Sequence, residues 1–292
     1  MKLVTFVCPK NREETPGIVR EGRAYCLSAF GLPYQSLNEL IVKGKPEEWD
    51  LLRNGTPSSA GKPLAEVKLL APIPHPLQDV LCLGLNYREH AKEANAYSQK
   101  DFTAERGYPV YFSKRVSYAP ASGESVPSYE GLTEKLDYEA ELAVVLGKDA
   151  KNVSEKDAEE YVLGYTVVND MTARDLQTNH KQWYFGKSLD GFCPMGPVIV
   201  TKDEIPFPPA LKIQSYVNGE LRQDSNTDQM IYDIPFVISE LSKGMTLKAG
   251  TIIATGTPKG VAMGMEKPRF LQSGDRIVCR IEKIGDLENT VE

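Results

Sequence analysis

The most constraining feature of the sequence is a pair of glutamates inside a strand-like run that is otherwise almost wholly apolar. Residues 136–148 read LDYEAELAVVLGK, a composition that favours a strand over a solvated helix. Side chains two apart on a strand point to the same face, so Glu139 and Glu141 converge. The following AVVLG predicts a strand buried on both faces, where acids need partners. We therefore expect positive charge to be supplied at this strand.

A hard divalent cation is one partner that neutralises two adjacent carboxylates. Mg²⁺, Mn²⁺ and Ca²⁺ all prefer oxygen ligands, and the sequence does not distinguish them. Asp170 closes a second strand-like run, TVVND, after which we expect a helix with Thr172 as its cap. Asp170 is therefore the predicted third ligand. The alternative is that the E-x-E pair forms one solvent face of an antiparallel sheet.

A histidine and a glutamate share one face of the helix predicted after residues 80–87. His90 and Glu93 are three apart, so the carboxylate can orient or polarise the imidazole. The alternative is a surface helix with a chance pair. The polar residues 95–108 predict a loop or lid that orders over bound substrate.

Two more cationic side chains have alternative interpretations. Arg174 and Gln177 share a helix face beyond Asp170, where an arginine can fork onto a substrate carboxylate or carbonyl. The alternative for Arg174 is a salt bridge to Asp170 or Asp175. Lys114, at the end of a predicted strand, either reaches the same site or pairs with a surface acid, and we favour the surface pair.

Composition excludes several classes of protein. The net charge of −6 and the lack of a basic stripe argue against nucleic acid as a partner. No apolar run approaches the roughly 18 residues of a membrane helix, and the N-terminus becomes charged too early for a signal peptide. The five cysteines form no C-x-x-C pair, and we expect them to be reduced and mostly buried. We therefore expect a cytoplasmic protein that does not bind membranes.

The chain divides into two predicted domains. Residues 1–70 predict a small β-rich domain, and the proline-rich stretch 71–79 begins the main domain, 71–292, as a linker. In the main domain, Asn-Gly in 217–221 predicts a hairpin turn. Residues 233–244 predict an amphipathic helix that stops at its glycine.

Six ordered motifs, over roughly the last three quarters of the chain, together resemble the fumarylacetoacetate hydrolase (FAH) family. They are LCLGLNYREHAKE (81–93), PVYFSK (109–114), LDYEAELAVVLGK (136–148), GYTVVNDMTARDLQ (164–177), FGKSLDGFCPMGP (185–197) and GTIIATGTPKGV (250–261). The resemblance implies an α+β, mainly β fold: a mixed sheet curled into a barrel-like roll, short peripheral helices and a small N-terminal β domain. It also implies a homodimer.

The resemblance also assigns roles to individual residues. It implies that Glu139, Glu141 and Asp170 hold Mg²⁺ or Mn²⁺, with Ca²⁺ also compatible. It makes His90 and Glu93 a catalytic dyad. Four further residues with expected roles lie in the same motifs, namely Arg174, Gln177, Lys187 and Thr257.

Lys187 matches the active-site lysine of the family, whose ammonium can neutralise an enolate. The Gly-Lys-Ser around it is not a P-loop, because Lys181 stands where the first glycine is required. Thr257, in the loop GTPKGV, offers a hydroxyl and an amide to a substrate carboxylate. Arg174 and Gln177 complete the expected substrate contacts.

This constellation suits a small 2-keto or enol carboxylate that chelates the ion. The leading hypothesis is metal-dependent hydrolysis of a C–C bond in an acylpyruvate or related diketo acid, with water activated by His90 and Glu93. The first alternative is an oxaloacetate decarboxylase or tautomerase, or a 2-hydroxyhepta-2,4-diene-1,7-dioate isomerase-like enzyme. The second is a non-catalytic ligand-binding protein on the same fold. Shared motifs cannot choose between these chemistries.

Overall fold

The fold is organised around a large sheet whose two central strands lead to the acidic residues. The computed structural model describes residues 1–8, 12–98 and 107–292. Within them the strands are Lys2–Val7 (β1), Glu14–Arg20 (β2), Arg23–Cys26 (β3), Lys62–Pro63 (β4), Leu69–Leu70 (β5), Val80–Gly84 (β6), Val110–Lys114 (β7), Ser125–Val126 (β8), Leu136–Asp137 (β9), Ala140–Leu146 (β10), Val162–Asn169 (β11), Thr172–Ala173 (β12), Met195–Thr201 (β13), Lys212–Val217 (β14), Glu220–Asn226 (β15), Ile252–Ala254 (β16), Arg276–Ile281 (β17) and Gly285–Val291 (β18). The α-helices are Leu37–Lys43 (α1), Pro46–Asn54 (α2), Arg88–Ser98 (α3), Arg174–Asn179 (α4), Tyr184–Lys187 (α5) and Ile234–Gly244 (α6).

The strands form two main sheets and one short pair. The large sheet has the order β4-β3-β2-β1-β13-β11-β10-β16-β6-β7, with β5 beside β1, and the second has the order β15-β14-β17-β18-β8. Most pairs are antiparallel, but β16 with β6 and β18 with β8 are parallel. This mixed, mainly β architecture with short helices confirms the predicted fold class. Within the described part of the chain the strand order does not close either sheet into a complete barrel.

The two central strands are buried on both faces, as their apolar composition predicts. Every residue of β10 and every residue of β11 is buried. The strands pair antiparallel, with Ala140 opposite Asn169 and Glu141 opposite Val168. This register brings the start of β10 beside the end of β11, and the main-chain N–H of Asp170 donates to the carbonyl of Glu139 at 2.9 Å. Strand pairing alone therefore brings acids from two separate motifs together.

The N-terminal strands continue the large sheet. β1 pairs with β2 on one side and with β13 on the other, through Lys2 opposite Val200 and Leu3 opposite Ile199. The first part of the predicted linker is buried, and the hydroxyl of Thr5 donates to the carbonyl of Pro72 at 2.8 Å. One sheet thus runs through both parts of the chain. The division into domains 1–70 and 71–292 stays a prediction.

Three smaller sequence predictions have clear outcomes. The hairpin is confirmed: Asn218 and Gly219 connect β14 and β15 with φ of 52° and 81°. The amphipathic helix is confirmed as α6. Its buried side chains include Ile234, Val237, Ile238 and Leu241. The cap at Thr172 is wrong. Thr172 lies in β12, its hydroxyl donates to the carbonyl of Asp170, and the next helix begins only at Arg174.

The loop predicted over 95–108 lies largely outside the described residues. Helix α3 continues to Ser98, and residues 99–106 are not among those described. Among the residues that are described, no helix has both the length and the apolar composition to cross a membrane.

Candidate active site

The three predicted acidic ligands form one buried cluster. Glu139 lies between β9 and β10, Glu141 is the second residue of β10, and Asp170 directly follows β11. Their exposed fractions are 4%, 1% and 0%. One carboxylate oxygen from each lies within 4.8 Å of the others. The structure thus brings together the residues that the sequence predicted, on a buried surface rather than a solvent face.

Three buried cations contact two of these acids. Lys187 Nζ lies 2.8 Å from Oε2 of Glu139 and 2.7 Å from Oδ2 of Asp170. Arg174 Nη2 lies 2.6 Å from Oε1 of Glu139. Lys114 Nζ lies 2.7 Å from Oδ1 of Asp170. Both oxygens of Glu139 and both oxygens of Asp170 are therefore paired with positive charge.

Glu141 has a different environment. Among the residues described, no cationic side chain forms an ion pair with it, and its Oε2 accepts a hydrogen bond from the main-chain N–H of Gly256 at 2.8 Å. Burial and the nearby Asp170 and Glu139 carboxylates raise the pKa of Glu141 well above its usual range. Burial opposes ionisation of Glu139 as well, but Lys187 and Arg174 lower its pKa.

This donor set fits a hard divalent cation. Three carboxylates supply only oxygen ligands, which Mg²⁺, Mn²⁺ and Ca²⁺ prefer. The unbalanced charge of Glu141, between two other acids, is the charge that such an ion would neutralise. Glu139, Glu141 and Asp170 are therefore the candidate ligands of a divalent metal ion.

Lys114 is a functional residue that the sequence prediction placed wrongly. We predicted a surface pair, but Lys114 has an exposed fraction of 0% and is paired with Asp170. Its ammonium also donates to the carbonyls of Met171, at 2.9 Å, and Lys187. Burial of this ammonium requires a compensating charge and hydrogen bonds. Asp170 supplies the charge, and the two carbonyls accept the hydrogen bonds. Its position at the end of a predicted strand was the available signal.

Arg174 pairs with neither acid that the sequence proposed. Its Nε lies 2.9 Å from Oδ2 of Asp137, and its Nη1 donates to Oε1 of Gln177 at 3.2 Å. The alternative of a salt bridge to Asp170 or Asp175 is therefore wrong. Sequence reasoning missed Asp137 because it considered only acids close to Arg174 along the chain, whereas β9 pairs directly with β12.

Asp137 connects this arginine to the loop that follows β16. Its carboxylate accepts hydrogen bonds from the main-chain N–H groups of Ala262, at 2.8 Å, and Met263, at 3.1 Å. Because Asp137 is fully buried, these bonds and the Arg174 pair satisfy its charge. Asp137 therefore links Arg174 to the loop that follows β16.

The predicted dyad lies on α3. His90 is buried, and its Nδ1 lies 3.4 Å from Oε2 of Glu93. The Glu93 carboxylate accepts from the main-chain N–H of Gly260 at 3.0 and 3.1 Å. An exposed pair between Glu89 and Lys259, at 2.8 Å, joins the same helix to the same loop. Glu93 therefore has the contacts to orient His90, as the spacing predicted, and polar contacts join α3 to residues 259–260.

Thr257 has less to offer a ligand than the sequence suggested. Its hydroxyl donates to the carbonyl of Ala140 at 2.9 Å and accepts from Nε2 of Gln223 at 2.7 Å. The hydroxyl proton is thus already used inside the protein. A contact between Thr257 and a substrate stays a prediction, and it now depends on the main-chain amide.

A cavity of about 760 Å³ joins these groups. Seven predicted site residues line it, namely His90, Glu139, Glu141, Arg174, Gln177, Lys187 and Thr257. Glu93 and Asp170 lie behind this lining and contact it through His90 and Lys187. The sequence analysis assigned no role in the site to residues 178–183, which form one wall of the cavity. The cavity otherwise has apolar side chains such as Leu83, Phe112, Trp183 and Met263.

These features define the class to which the protein belongs. Residues 79–292 match the family model described as the C-terminal domain of fumarylacetoacetate (FAA) hydrolase. The match covers well over half of the chain, so this chain belongs to the FAH family, as the motifs predicted.

Three similar proteins illustrate the range of this family. The oxaloacetate tautomerase YisK of Bacillus subtilis is 50% identical over 244 residues, which are 84% of this chain and 79% of that protein. Fumarylacetoacetate hydrolase from Exiguobacterium antarcticum has a TM-score of 0.85 and 39% identity, covering 100% of this chain and 99% of that one. Maleylpyruvate hydrolase from Sphingobium sp. SYK-6, solved with manganese(II) and pyruvate, has a TM-score of 0.77 and 29% identity, covering 100% and 98%.

Proposed function

We propose that this protein is a metal-dependent tautomerase of small 2-keto acids, with oxaloacetate as the first candidate substrate. The observation that carries the proposal is the single cavity shared by His90, Lys187 and the buried acids. A proton-transfer group, a cation and a candidate metal site within one cavity are what keto–enol conversion requires. The 50% identity to a protein named oxaloacetate tautomerase supports the same reaction.

The metal would be held by Glu139, Glu141 and Asp170. When bound there, a divalent ion supplies a Lewis acid that polarises the keto group and attracts the neighbouring carboxylate. Mg²⁺ and Mn²⁺ are the proposed ions, and the manganese in the related maleylpyruvate hydrolase supports the second of them. Ca²⁺ is compatible with the same oxygen donors.

Each side chain of the cavity has a separate role in this proposal. Arg174 and Gln177 bind and orient the substrate carboxylate. Lys187 uses two of its three N–H donors on Glu139 and Asp170, and its third donates to the keto oxygen as negative charge develops there. His90, oriented by Glu93, takes the proton from the carbon next to the keto group. His90 then returns that proton to the oxygen of the enolate, so the carbon loses one proton, the oxygen gains one and the mass of the substrate does not change.

Hydrolysis of a C–C bond in an acylpyruvate is the second candidate. It was the leading hypothesis from the sequence, and the two similar structures named as hydrolases support it. In that reaction His90 would take a proton from water rather than from carbon. We rank it second because the identity to the named tautomerase is higher than the identity to either hydrolase. Decarboxylation of oxaloacetate uses the same groups and is separated from tautomerisation by its product.

The test follows three products from purified protein supplied with Mg²⁺ or Mn²⁺. A tautomerase accelerates the loss of enol absorbance from oxaloacetate without releasing pyruvate or CO₂. Pyruvate with CO₂ would assign a decarboxylase, whereas pyruvate with acetate from acetylpyruvate would assign the hydrolase. Ligand binding without turnover of either acid would favour the non-catalytic alternative. Glu141→Gln serves as the control, because it removes the charge that the metal requires.

We further propose that the protein is a cytoplasmic homodimer. These properties stay predictions from the sequence and from family membership. Light scattering after size-exclusion chromatography measures the oligomeric state, with one chain of 32.4 kDa as the reference mass. Fractionation of expressing cells tests the cytoplasmic location.

A further inference from the structure

The wall formed by residues 178–183 brings one lysine to the substrate cavity. Thr178, Asn179, His180, Lys181 and Trp183 all line the cavity, and Lys181 is exposed rather than buried. This segment connects α4, which carries Arg174, to α5, which carries Lys187. In sequence, the segment therefore lies between Arg174 and Lys187, which also line the cavity.

The segment is anchored where Trp183 packs against the large sheet. The Trp183 ring meets Phe112 edge-on, with ring centroids 5.3 Å apart. It also covers the backbone of Gly84 so closely that a Cβ built there would lie 2.3 Å from the indole. His180 adds a bond from its ring to the carbonyl of Leu176 at 2.8 Å. These contacts on both sides hold the main chain of Lys181 at the cavity, and its side chain is exposed.

The other cations of the cavity are already neutralised. Arg174 pairs with Asp137 and Glu139, and Lys187 pairs with Glu139 and Asp170. Lys181 alone among the lysines and arginines that line the cavity has no acidic partner, within the residues that the structure describes. Arg174 and Lys187 therefore have their charges balanced by acids of the protein, and a second carboxylate on the same substrate would need another counter-charge.

We propose that Lys181 binds the distal carboxylate of a 2-keto dicarboxylate substrate. The assignment rests on the proposed function, because it assumes that the keto acid end of the substrate lies at the acidic cluster. A lysine suits this role because its ammonium is a point charge on a flexible four-carbon stem, which accepts carboxylates at a range of distances. Lys181 thereby selects dicarboxylates over monocarboxylates of similar length.

Calorimetry with the metal-loaded protein tests the assignment without any need for turnover. The ligands are 2-keto dicarboxylates of increasing chain length, from oxaloacetate, the first candidate substrate, to 2-oxopimelate, each compared with the 2-keto monocarboxylate of the same length. The variants are Lys181→Gln and Lys181→Arg. Lys156→Gln is the matched control, because Lys156 is also exposed but lies in the 155–161 turn, away from the cavity lining.

We expect Lys181→Gln to weaken binding of at least one dicarboxylate by about fivefold, the effect of one partly exposed ion pair. The monocarboxylates should bind unchanged, Lys181→Arg should retain dicarboxylate binding, and the control should behave as wild type. The chain length with the largest effect then measures the reach from the acidic cluster to Lys181.

Two outcomes overturn the assignment and are distinguishable from each other. Equal effects of Lys181→Gln on both ligand classes, or no effect at any length, would overturn the role of Lys181 and leave the proposed function standing. Failure of the wild-type protein to bind either class would overturn the proposed function and the role of Lys181 with it.

Discussion

The acidic cluster and the histidine dyad both contribute residues to the cavity but are held in different ways. Glu139, Glu141 and Asp170 are attached to paired strands that are buried throughout and are enclosed by three buried cations. His90 and Glu93 are on α3, which the loop at 259–260 holds through two main-chain bonds and one exposed ion pair.

This difference separates two requirements of the proposed reaction. A cluster of like charges must be fixed before the ligand arrives, because carboxylates that could move apart would lose the metal ion. The group that moves protons has to be oriented toward the substrate, which the contact of Glu93 with His90 provides. Of residues 88–94 of α3, only His90 and Ala91 are buried, and the helix has an exposed ion pair, features that are typical of segments with low local stability. The comparison therefore predicts that damage to the acidic cluster affects metal binding and folding, whereas damage to α3 affects the rate alone.

The largest effect is expected for Glu141→Gln. The amide oxygen can still accept the hydrogen bond from Gly256, so the fold should persist, but the charge for the metal is lost. Activity should fall by roughly a thousandfold or more, about 4 kcal/mol in the activation barrier. Calorimetric titration with Mn²⁺ checks the cause, since its affinity should fall in parallel. Unchanged Mn²⁺ affinity would contradict the assignment of Glu141 as a ligand.

Lys114→Met tests how firmly the acidic cluster depends on its buried cations. The substitution leaves Asp170 without one of its two counter-charges in a fully buried position. We expect the free energy of unfolding in urea to fall by about 3–5 kcal/mol, the usual result of breaking a buried pair.

The matched control for Lys114 is Arg280→Met, which removes an exposed ion pair of 2.7 Å with Asp286. This surface change should lower the free energy of unfolding by about 1 kcal/mol or less. Similar losses in the two variants would refute the view that the cluster is held by buried charge.

His90→Gln should affect the rate and leave the acidic cluster intact. Loss of a general acid–base group lowers kcat by about a thousandfold, within the usual range for such groups. Mn²⁺ affinity and the melting temperature should equal those of the wild type, because His90 holds no strand in place. A parallel loss of Mn²⁺ binding would contradict the distinction between the acidic cluster and the histidine dyad. His180→Gln, on the cavity wall but outside the dyad, is the control and should retain most of the activity.

The smallest effect is expected for Gly264→Ala, which moves the dyad without removing a functional group. A Cβ at Gly264 would lie 2.7 Å from Cδ of Glu93, so the carboxylate has to shift away. The shift costs little stability, because it occurs at the end of a flexible side chain, but it misaligns His90. We expect kcat to fall about tenfold, roughly 1.4 kcal/mol, with Mn²⁺ affinity unchanged.

The control for Gly264 is Gly244→Ala at the end of α6, where a Cβ would meet no atom within 4 Å. It should match the wild type in activity. If the two glycine variants were equally active, Glu93 would not be the residue that orients His90.

The sequence determined the acidic centre because its signal is local and its physics is simple. Two glutamates two apart in an apolar strand must share a face, and Asp170 ends a strand of the same buried character. The same local logic placed His90 with Glu93 and Arg174 with Gln177, since helical spacing fixes those pairs. Family motifs then supplied the fold and Lys187, because ordered motifs over most of the chain are far more specific than any single pattern.

Only the tertiary structure decided which charges meet. Lys114 and Asp137 lie far along the chain from the groups they contact, so spacing could not reveal Asp170 as the partner of the first or Arg174 as the partner of the second. The use of the Thr257 hydroxyl by Ala140 and Gln223, and the place of Lys181 on the cavity wall, follow from packing between distant segments. The physical reason is burial. A buried charge must have a partner because it has lost its water, which the sequence can indicate, but the identity of the partner depends on which distant segment the sheet places beside it.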